Sequence, residues 1–302
     1  VLLAMLMFYG EEALGKIEGI FSFCYFDSIK NKTIISRDNW GVKPLYYSQK
    51  NSIFYFASDC DALLKNIGKQ KINKKAIYSY LINGYISYPF SPWKDIYKLN
   101  PGHYLLIEND QIIEKKVNAS KSIFKYEGSK KLKKEIFKVI KKQTDYDNEI
   151  SISCSGGIDS SIIAFATSSL YPNKTNLFNV KQSENIEENL SYKQLLENLK
   201  VKNYSLNGDN FSIKDQLEIS SQLYEPFSDS AIVPSFKISK KMKELGFRLL
   251  LSGCGADEID NGYSRYSSKI GTIDNKFLCN LGILISKLAP NSFLKNTLFL
   301  TL

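Results

Sequence analysis

The chain has 302 residues, 43% of them hydrophobic, and a formal net charge of +9 at pH 7. That length accommodates about two domains, and that composition is typical of a folded globular protein. The single histidine, His103, excludes a multi-histidine metal site.

The first part of the chain predicts an α+β domain. An apolar helical pattern opens it at residues 1–7, and aromatic residues on both faces of the following strands indicate a sandwiched sheet. A helix over 73–81 begins at the cap residue Asn73. Residues 95–107 turn through Asn100-Pro101-Gly102 into a hairpin whose return strand is 111–117. The other predicted strands lie at 19–27, 33–37 and 52–57.

The second part predicts an α/β domain. The apolar pattern lapses between about residues 118 and 129, which places a domain boundary there and gives domains at 1–120 and 128–302. Strands and helices then alternate, which predicts a doubly wound parallel sheet with ligands at the carboxyl ends of its strands. The predicted strands are 150–152, 175–180, 204–206 and a buried 248–251; the predicted helices are 132–142, 162–166, 188–199, one after Phe211, and 236–245.

Charge, hydropathy and cysteine spacing indicate whether the chain binds nucleic acid, spans a membrane or carries disulfides. The lysines between 130 and 138 have the spacing of a solvated helix face, which we favour over a nucleic-acid patch. The apolar tail 277–302 is interrupted by Lys287, Pro290 and Lys295, so it predicts a pair of core helices and no membrane span. Five cysteines without metal-binding spacing predict reduced thiols in a cytoplasmic protein: Cys24, Cys60, Cys154, Cys254 and Cys279.

The most informative segment, residues 153–161, reads SCSGGIDSS between a β-branched strand and an apolar helix. Paired glycines let the backbone approach an anion, and free N–H groups at a helix start point towards it. The loop has no lysine and no GxxxxGK[ST] spacing, which excludes the P-loop of kinases and GTPases. We predict a phosphate site here; the alternative is an ordinary strand-to-helix turn.

A second strand runs into residues 252–258, which read SGCGADE. In a parallel sheet this turn opens on the same edge as the 153–161 loop. Asp159 and Asp257 would then hold one Mg²⁺ that bridges ATP phosphates. The alternative is an exposed acidic loop with nothing bound.

The 153–161 loop resembles the pyrophosphate-binding loop of the N-type ATP pyrophosphatases. Together, the two motifs resemble the synthetase domain of glutamine-dependent asparagine synthetases. Residues 19–23 (GIFSF), 37–47 (RDNWGVKPLYY) and 99–103 (LNPGH) are similar to the later part of the family's class II glutaminase domain. The resemblance implies the end of an Ntn-hydrolase-like glutaminase sandwich, followed by an adenine nucleotide alpha-hydrolase-like ATP pyrophosphatase domain. It also implies a fragment that lacks both ends, since the glutaminase nucleophile would lie before Val1.

The resemblance further implies an activity with ATP and Mg²⁺ as cofactors. A carboxylate attacks the α-phosphate of ATP, pyrophosphate leaves, and ammonia from glutamine or from solution converts the adenylate to an amide and AMP. Its partners would be the small carboxylate, glutamine or ammonia, and a second copy in a homodimer. The metal ligands would be Asp159 and Asp257. The residues implied to bind ATP and pyrophosphate are Ser155, Gly156, Gly157, Asp159, Ser160, Ser252 and Gly253.

The sequence departs from the family pattern at two places. Cys254 occupies the position of a family glutamate that could manage protons on the attacking ammonia, so the catalytic residue is unknown. Cys254 is either a small residue in a changed pocket or a reactive thiol. Residues 225–230 lack the Thr- and Arg-containing segment with which the family recognises aspartate. This favours another carboxylate, such as a uronic or sugar acid of surface polysaccharides, and leaves asparagine synthesis open. A non-catalytic ATP-binding homologue and an ATP pyrophosphatase acting on RNA are the alternative functions.

Overall fold

The computed structural model describes residues 1–109, 111–117, 128–144, 149–210 and 212–260. The chain forms two compact units: unit 1 is Val1–Lys133 with Asn207–Lys241, and unit 2 is Lys134–Leu206 with Met242–Leu302. The helices expected in 277–302, most of the boundary segment and Cys279 lie outside the described residues.

The elements follow one another as the sequence analysis predicts, with four additions. Up to residue 117 they are α1 (Leu2–Tyr9), a 3-10 helix (Gly10–Lys16), β1 (Ser22–Asp27), β2 (Lys32–Arg37), β3 (Tyr46–Lys50), β4 (Ile53–Ala57), α2 (Cys60–Ile67), α3 (Lys74–Asn83), β5 (Tyr97–Lys98), β6 (His103–Glu108) and β7 (Gln111–Lys116). After it they are α4 (Ser129–Thr144), β8 (Ile150–Ser153), α5 (Ile158–Leu170), β9 (Thr175–Lys181), α6 (Ile186–Asn198), β10 (Lys202–Asn207), α7 (Ile213–Gln222), α8 (Ile232–Glu244), β11 (Leu249–Leu251) and α9 (Ala256–Asp260). The sequence analysis missed the 3-10 helix, β3, α2 and α9.

Unit 1 contains two antiparallel sheets, in the strand orders β1-β2-β6-β7 and β4-β3-β5. One buried cluster takes Ile35 and Leu105 from the first sheet and packs against Tyr47 and Phe54 of the second. The two sheets therefore share a core, as expected of a sandwiched sheet. The expected hairpin is also confirmed, because His103 pairs with Lys116 across β6 and β7.

Local backbone chemistry explains the differences within unit 1. Asn51 and Ser52 both have positive φ, 50° and 62°, so they form the two-residue turn between β3 and β4. The prediction that Ser52 belongs to the strand is therefore wrong, and the chain there lacks the Asn-Gly signal of such turns. The first strand begins at Ser22, three residues later than expected. The predicted cap at Asn73 is confirmed, since its side chain accepts a hydrogen bond from the Ala76 N–H.

Unit 2 contains one sheet in the order β10-β9-β8-β11, with β8 parallel to both β9 and β11. The strand order reverses at β8, which is the arrangement of doubly wound sheets and creates a crevice at the carboxyl ends of β8 and β11. The expectation that 248–251 is wholly buried is wrong: Leu251 is buried, but Leu250 is 36% exposed. Among the described strands, β11 is the last in the order and has one neighbour, so less of it is covered.

Two further findings concern the described part of the chain. The four cysteines within it are free: Cys24, Cys60, Cys154 and Cys254. Among the described residues, every helix is too short or too polar to cross a lipid bilayer.

Candidate active site

The loop after β8 presents an uncapped helix start. Ser155 is exposed, Gly156 has φ +100°, and Gly157 is the N-cap residue of α5. Because glycine has no side chain, no side chain caps the N–H groups of the first turn of α5. These N–H groups and the helix dipole suit a phosphate or another anion.

Two serine hydroxyls that the sequence predicts for the site meet inside this loop. The Ser155 Oγ accepts a hydrogen bond from the Gly157 N–H at 3.1 Å and lies 3.3 Å from the Ser160 Oγ. The Ser160 Oγ also lies 3.1 Å from the Gly157 carbonyl, to which it donates. Ser160 is buried and Ser155 is exposed, so the inner hydroxyl fixes the loop while the outer one faces solvent.

Gly156 allows helix α6 to pack directly on the loop. A Cβ at Gly156 would be 2.4 Å from the Glu188 carbonyl oxygen and 2.9 Å from the Tyr192 nitrogen, both backbone atoms. Since backbone cannot move aside as a flexible side chain can, this position admits only glycine. Glu188 and Tyr192 are support residues that the sequence analysis did not identify.

Cys154 and Asn179 support the loop from beneath, and the sequence analysis gave them no role. The Cys154 N–H donates to the Phe178 carbonyl at 2.9 Å, and the Asn179 side-chain amide donates to the Cys154 carbonyl at 2.8 Å. Burial raises the pKa of the Cys154 thiol, which keeps it neutral. The signal that could have revealed this support was Asn179, a polar residue between the apolar Phe178 and Val180 of β9.

The turn after β11 packs against the first turn of α5. A Cβ at Gly253 would lie 2.9 Å from both the Asp159 Cβ and the Ser160 nitrogen. The structure therefore brings together two motifs that are about a hundred residues apart in the chain. They meet outside the carboxyl ends of the adjacent parallel strands β8 and β11, where doubly wound sheets bind ligands.

The remaining predicted site residues lie on the same two turns. Asp159 is in the first turn of α5 and Asp257 in the first turn of α9, and both are half-buried. Ser252 and Cys254 are exposed. Within the described ranges, no group of three or more His, Cys, Asp or Glu side chains could hold a metal ion. Two carboxylates completed by phosphate oxygens are a donor set that suits Mg²⁺.

In unit 1, the Arg37-Asp38 pair shapes the loop of the RDNWGVKPLYY motif. The Asp38 carboxylate accepts hydrogen bonds from the N–H groups of Trp40, Val42 and Lys43. The buried Arg37 guanidinium donates to the carbonyls of Lys43, Leu99 and Gly41, each at 2.6 Å. These bonds give the motif a structural role within unit 1.

Two family models cover most of the chain. Residues 1–118 match the glutamine amidotransferase domain, and residues 131–297, more than half of the chain, match asparagine synthase. The chain belongs to the asparagine synthase family. This membership confirms the resemblance that the two glycine turns and the segment 37–47 indicated.

Individual relatives agree with the family assignment. Asparagine synthetase [glutamine-hydrolyzing] 1 of Bacillus subtilis (strain 168) is 29% identical over 279 residues, which are 88% of this chain and 43% of that protein. Asparagine synthetase B of Escherichia coli (strain K12) is 24% identical over 288 residues, 87% of this chain and 46% of that protein. The chain spans about half the length of the curated relatives it matches.

A solved structure shows a weaker likeness. The glutamine-dependent NAD+ synthetase from Acinetobacter baumannii, in complex with ADP, aligns with 86% of this chain and 65% of that chain, at 13% identity and a TM-score of 0.33. At that score the likeness does not establish a shared fold.

Proposed function

We propose that the protein is an ATP-dependent ligase that forms an amide from a small carboxylate. The names of its relatives, asparagine synthetase [glutamine-hydrolyzing], describe this kind of reaction. The observation that carries the proposal is the contact of Gly253 with Asp159 and Ser160, which joins the two glycine turns at the crevice of the parallel sheet. We also propose a fold for each domain: an Ntn-hydrolase-like glutaminase sandwich at 1–120 and an ATP pyrophosphatase domain at 128–302.

Each site residue has a role in this proposal. The uncapped N–H groups of α5 bind the departing pyrophosphate, together with the predicted loop residues, and Ser252 and Gly253 line the nucleotide pocket. Bound Mg²⁺, held by Asp159 and Asp257, would neutralise phosphate charge. The ATP- and pyrophosphate-binding residues are Ser155, Gly156, Gly157, Asp159, Ser160, Ser252 and Gly253.

The chemical reason for ATP is the poor electrophilicity of a carboxylate. Its attack on the α-phosphate gives an adenylate, and the loop favours this step by binding the pyrophosphate that leaves. Ammonia, from glutamine or from solution, then displaces AMP. We propose aspartate as the carboxylate because the matched relatives are named asparagine synthetases, with a sugar acid as the alternative that the departure at 225–230 favours. We propose a cytoplasmic homodimer as the working form.

Pyrophosphate exchange tests the proposal. Labelled pyrophosphate should enter ATP when MgATP and the correct carboxylate are both present, with aspartate and uronic acids as the compounds assayed. Asp159→Asn should reduce exchange by about a hundredfold or more, because it removes a charge that the metal needs. The matched control is Asp209→Asn, an exposed carboxylate of unit 1. No exchange with any carboxylate, together with no ATP binding, contradicts the proposal.

Cys254 supports a second candidate, a homologue that binds ATP without forming an amide. The thiol is exposed on the turn after β11, at the position of a family glutamate. Cys254→Glu distinguishes the two candidates. An ATP-binding homologue without activity should gain amide formation in this variant, whereas an active ligase with a changed pocket should lose some. Cys254→Ser serves as the control for loss of the thiol alone.

A further inference from the structure

Asn179 is a polar side chain in the interior of unit 2. It lies near the carboxyl end of β9 and is only 3% exposed. Its side-chain amide donates a hydrogen bond of 2.8 Å to the carbonyl of Cys154, the first residue after β8. An apolar side chain of similar size would fill this position without the cost of burying an amide. The amide therefore points to a role beyond packing.

The hydrogen bond from Asn179 lies where the pairing of β8 with β9 ends. The Cys154 N–H still donates to the Phe178 carbonyl at 2.9 Å, as in a regular parallel pair of strands. The Asn179 side chain then holds the Cys154 carbonyl. Because β9 holds both polar groups of the Cys154 backbone, it sets the direction in which the chain leaves β8 and enters the 153–161 loop.

Peptide geometry carries this effect one residue further, to Ser155. The Cys154 carbonyl and the Ser155 N–H belong to one planar, trans peptide group, so they point in opposite directions. A donor that fixes the carbonyl therefore also fixes the N–H. The hydrogen bonds of the described residues give the Ser155 N–H no acceptor, whereas the Gly157 N–H donates to the Ser155 Oγ at 3.1 Å. Since Ser155 is exposed, we expect its N–H to be available to an anion.

We propose that Asn179 is a positioning residue for pyrophosphate binding: through the Cys154 carbonyl it orients the Ser155 N–H towards the anion. A buried carbonyl that loses its donor turns to find another, and the Ser155 N–H turns with it. A hydrogen bond weakens steeply when its angle is poor, so the affinity for pyrophosphate falls. The inference rests on the proposed function for the identity of the anion, and on contacts within unit 2 alone for the orientation of the loop.

A second asparagine of β9 provides a matched control. Asn176 is fully buried, and its side-chain amide donates to the Glu149 carboxylate at 2.7 Å and to the Lys174 carbonyl at 3.0 Å. These contacts lie at the amino end of β9, whereas the 153–161 loop follows the carboxyl end of the parallel strand β8. Asn176→Leu and Asn179→Leu therefore remove the same kind of buried donor, but only the second removes it beside the loop.

Titration calorimetry on the full chain, with inorganic pyrophosphate and MgCl2, tests the inference. We expect Asn179→Leu to raise the dissociation constant of pyrophosphate by about threefold to thirtyfold. Asn176→Leu should leave it within about twofold of the unaltered chain, although both variants lose stability. Hydrogen exchange should speed up by about tenfold at the amides of residues 155–158 in Asn179→Leu and stay unchanged there in Asn176→Leu.

A milder pair of variants keeps the test decisive if Asn179→Leu does not fold. Asn179→Ser leaves a proton donor on a shorter side chain, which reaches the Cys154 carbonyl less closely. It should raise the dissociation constant of pyrophosphate by a smaller factor, about threefold, while its control Asn176→Ser should leave that constant unchanged.

The possible outcomes are distinct. Equal changes of pyrophosphate binding in the variants of Asn179 and Asn176, or no change in either, overturn the inference. Faster exchange at 155–158 with unchanged pyrophosphate binding also overturns it, because the Ser155 N–H then does not bind the anion. Failure of the unaltered chain to bind both pyrophosphate and MgATP overturns the proposed function, while exchange at 155–158 still tests whether Asn179 orients the loop.

Discussion

Gly253 lies where the candidate site has no room for a side chain. Glycine is needed here because a Cβ would collide with Asp159 and Ser160. The backbone φ of Gly253 is one that other residues can also adopt. Any larger residue must push the turn after β11 away from the first turn of α5. The chemistry of the site therefore depends on a contact between backbones as much as on its carboxylates.

We predict that Gly253→Ala raises the dissociation constant of MgATP by at least about tenfold, because a contact of 2.9 Å forces the two turns apart. Isothermal titration calorimetry measures this. Gly246→Ala is the control: Gly246 also lies in unit 2 but has open space around it and a φ of +75°, so alanine there should cost about 1 kcal/mol of stability and leave ATP binding unchanged. Normal ATP binding by Gly253→Ala would place the nucleotide elsewhere.

In unit 1, the Arg37 side chain joins three backbone carbonyls and so contributes strongly to stability. We predict that Arg37→Lys lowers the free energy of unfolding by about 2–4 kcal/mol, since an ammonium cannot reach the three carbonyls that the guanidinium fork joins. Urea denaturation measures the change. Lys30→Met, which breaks an exposed pair with Asp27, should cost at most about 0.5 kcal/mol. Equal effects of the two substitutions would contradict this role of Arg37.

At the scale of elements, Glu11 ties the 3-10 helix to three neighbouring strands. Its carboxylate accepts hydrogen bonds from Lys32 of β2, Tyr104 of β6 and Lys115 of β7. Burial alone would raise the pKa of Glu11, but these hydrogen bonds outweigh it and lower the pKa to about 2. One side chain thus links the 3-10 helix to the face of the four-stranded sheet.

This network predicts a pH dependence of stability. A carboxyl whose pKa falls from 4.5 to about 2 on folding stabilises the protein above pH 4.5, and the contribution disappears as the pH drops towards 2. After a discount for partial exposure the contribution is about 2 kcal/mol. Glu11→Gln should lose this amount at pH 7 and much less near pH 2.5, as measured by urea denaturation at both pH values. The exposed neighbour Glu12 gives the control, Glu12→Gln; a loss that does not change with pH would contradict the prediction.

The packing of α6 on the loop also belongs to this scale. We predict that Gly156→Ala destabilises unit 2 by about 2–4 kcal/mol, because it combines a positive φ of 100° with a contact to the backbone of α6. Thermal unfolding followed by circular dichroism measures it, with Gly255→Ala as the control for positive φ in open space. Equal losses in the two variants would show that α6 does not press on the loop.

At the scale of the whole molecule, residues 207–241 belong with unit 1 although the synthase match includes them. The Lys98 Nζ lies 3.0 Å from the Glu225 carboxylate. We predict that Lys98→Met destabilises the full chain, where Glu225 is left without its cation, but has no destabilising effect in a Glu225→Gln background, where Lys98 has already lost that carboxylate. Denaturation of the four proteins provides the comparison. Equal destabilisation in both backgrounds would mean that Lys98 acts without Glu225.

The amino-acid sequence by itself determined the types and order of the elements, the two glycine turns and the cap at Asn73. These depend on local periodicity and turn chemistry, which a few adjacent residues specify. Only the tertiary structure decided that Gly253 meets Asp159, that α6 closes on Gly156, and that Lys98 holds Glu225. Such contacts depend on strand order and close packing between distant residues, so no local pattern contains them. The exposure of β11 was missed for the same reason, because its place at the end of the described strand order depends on the pairing of distant segments.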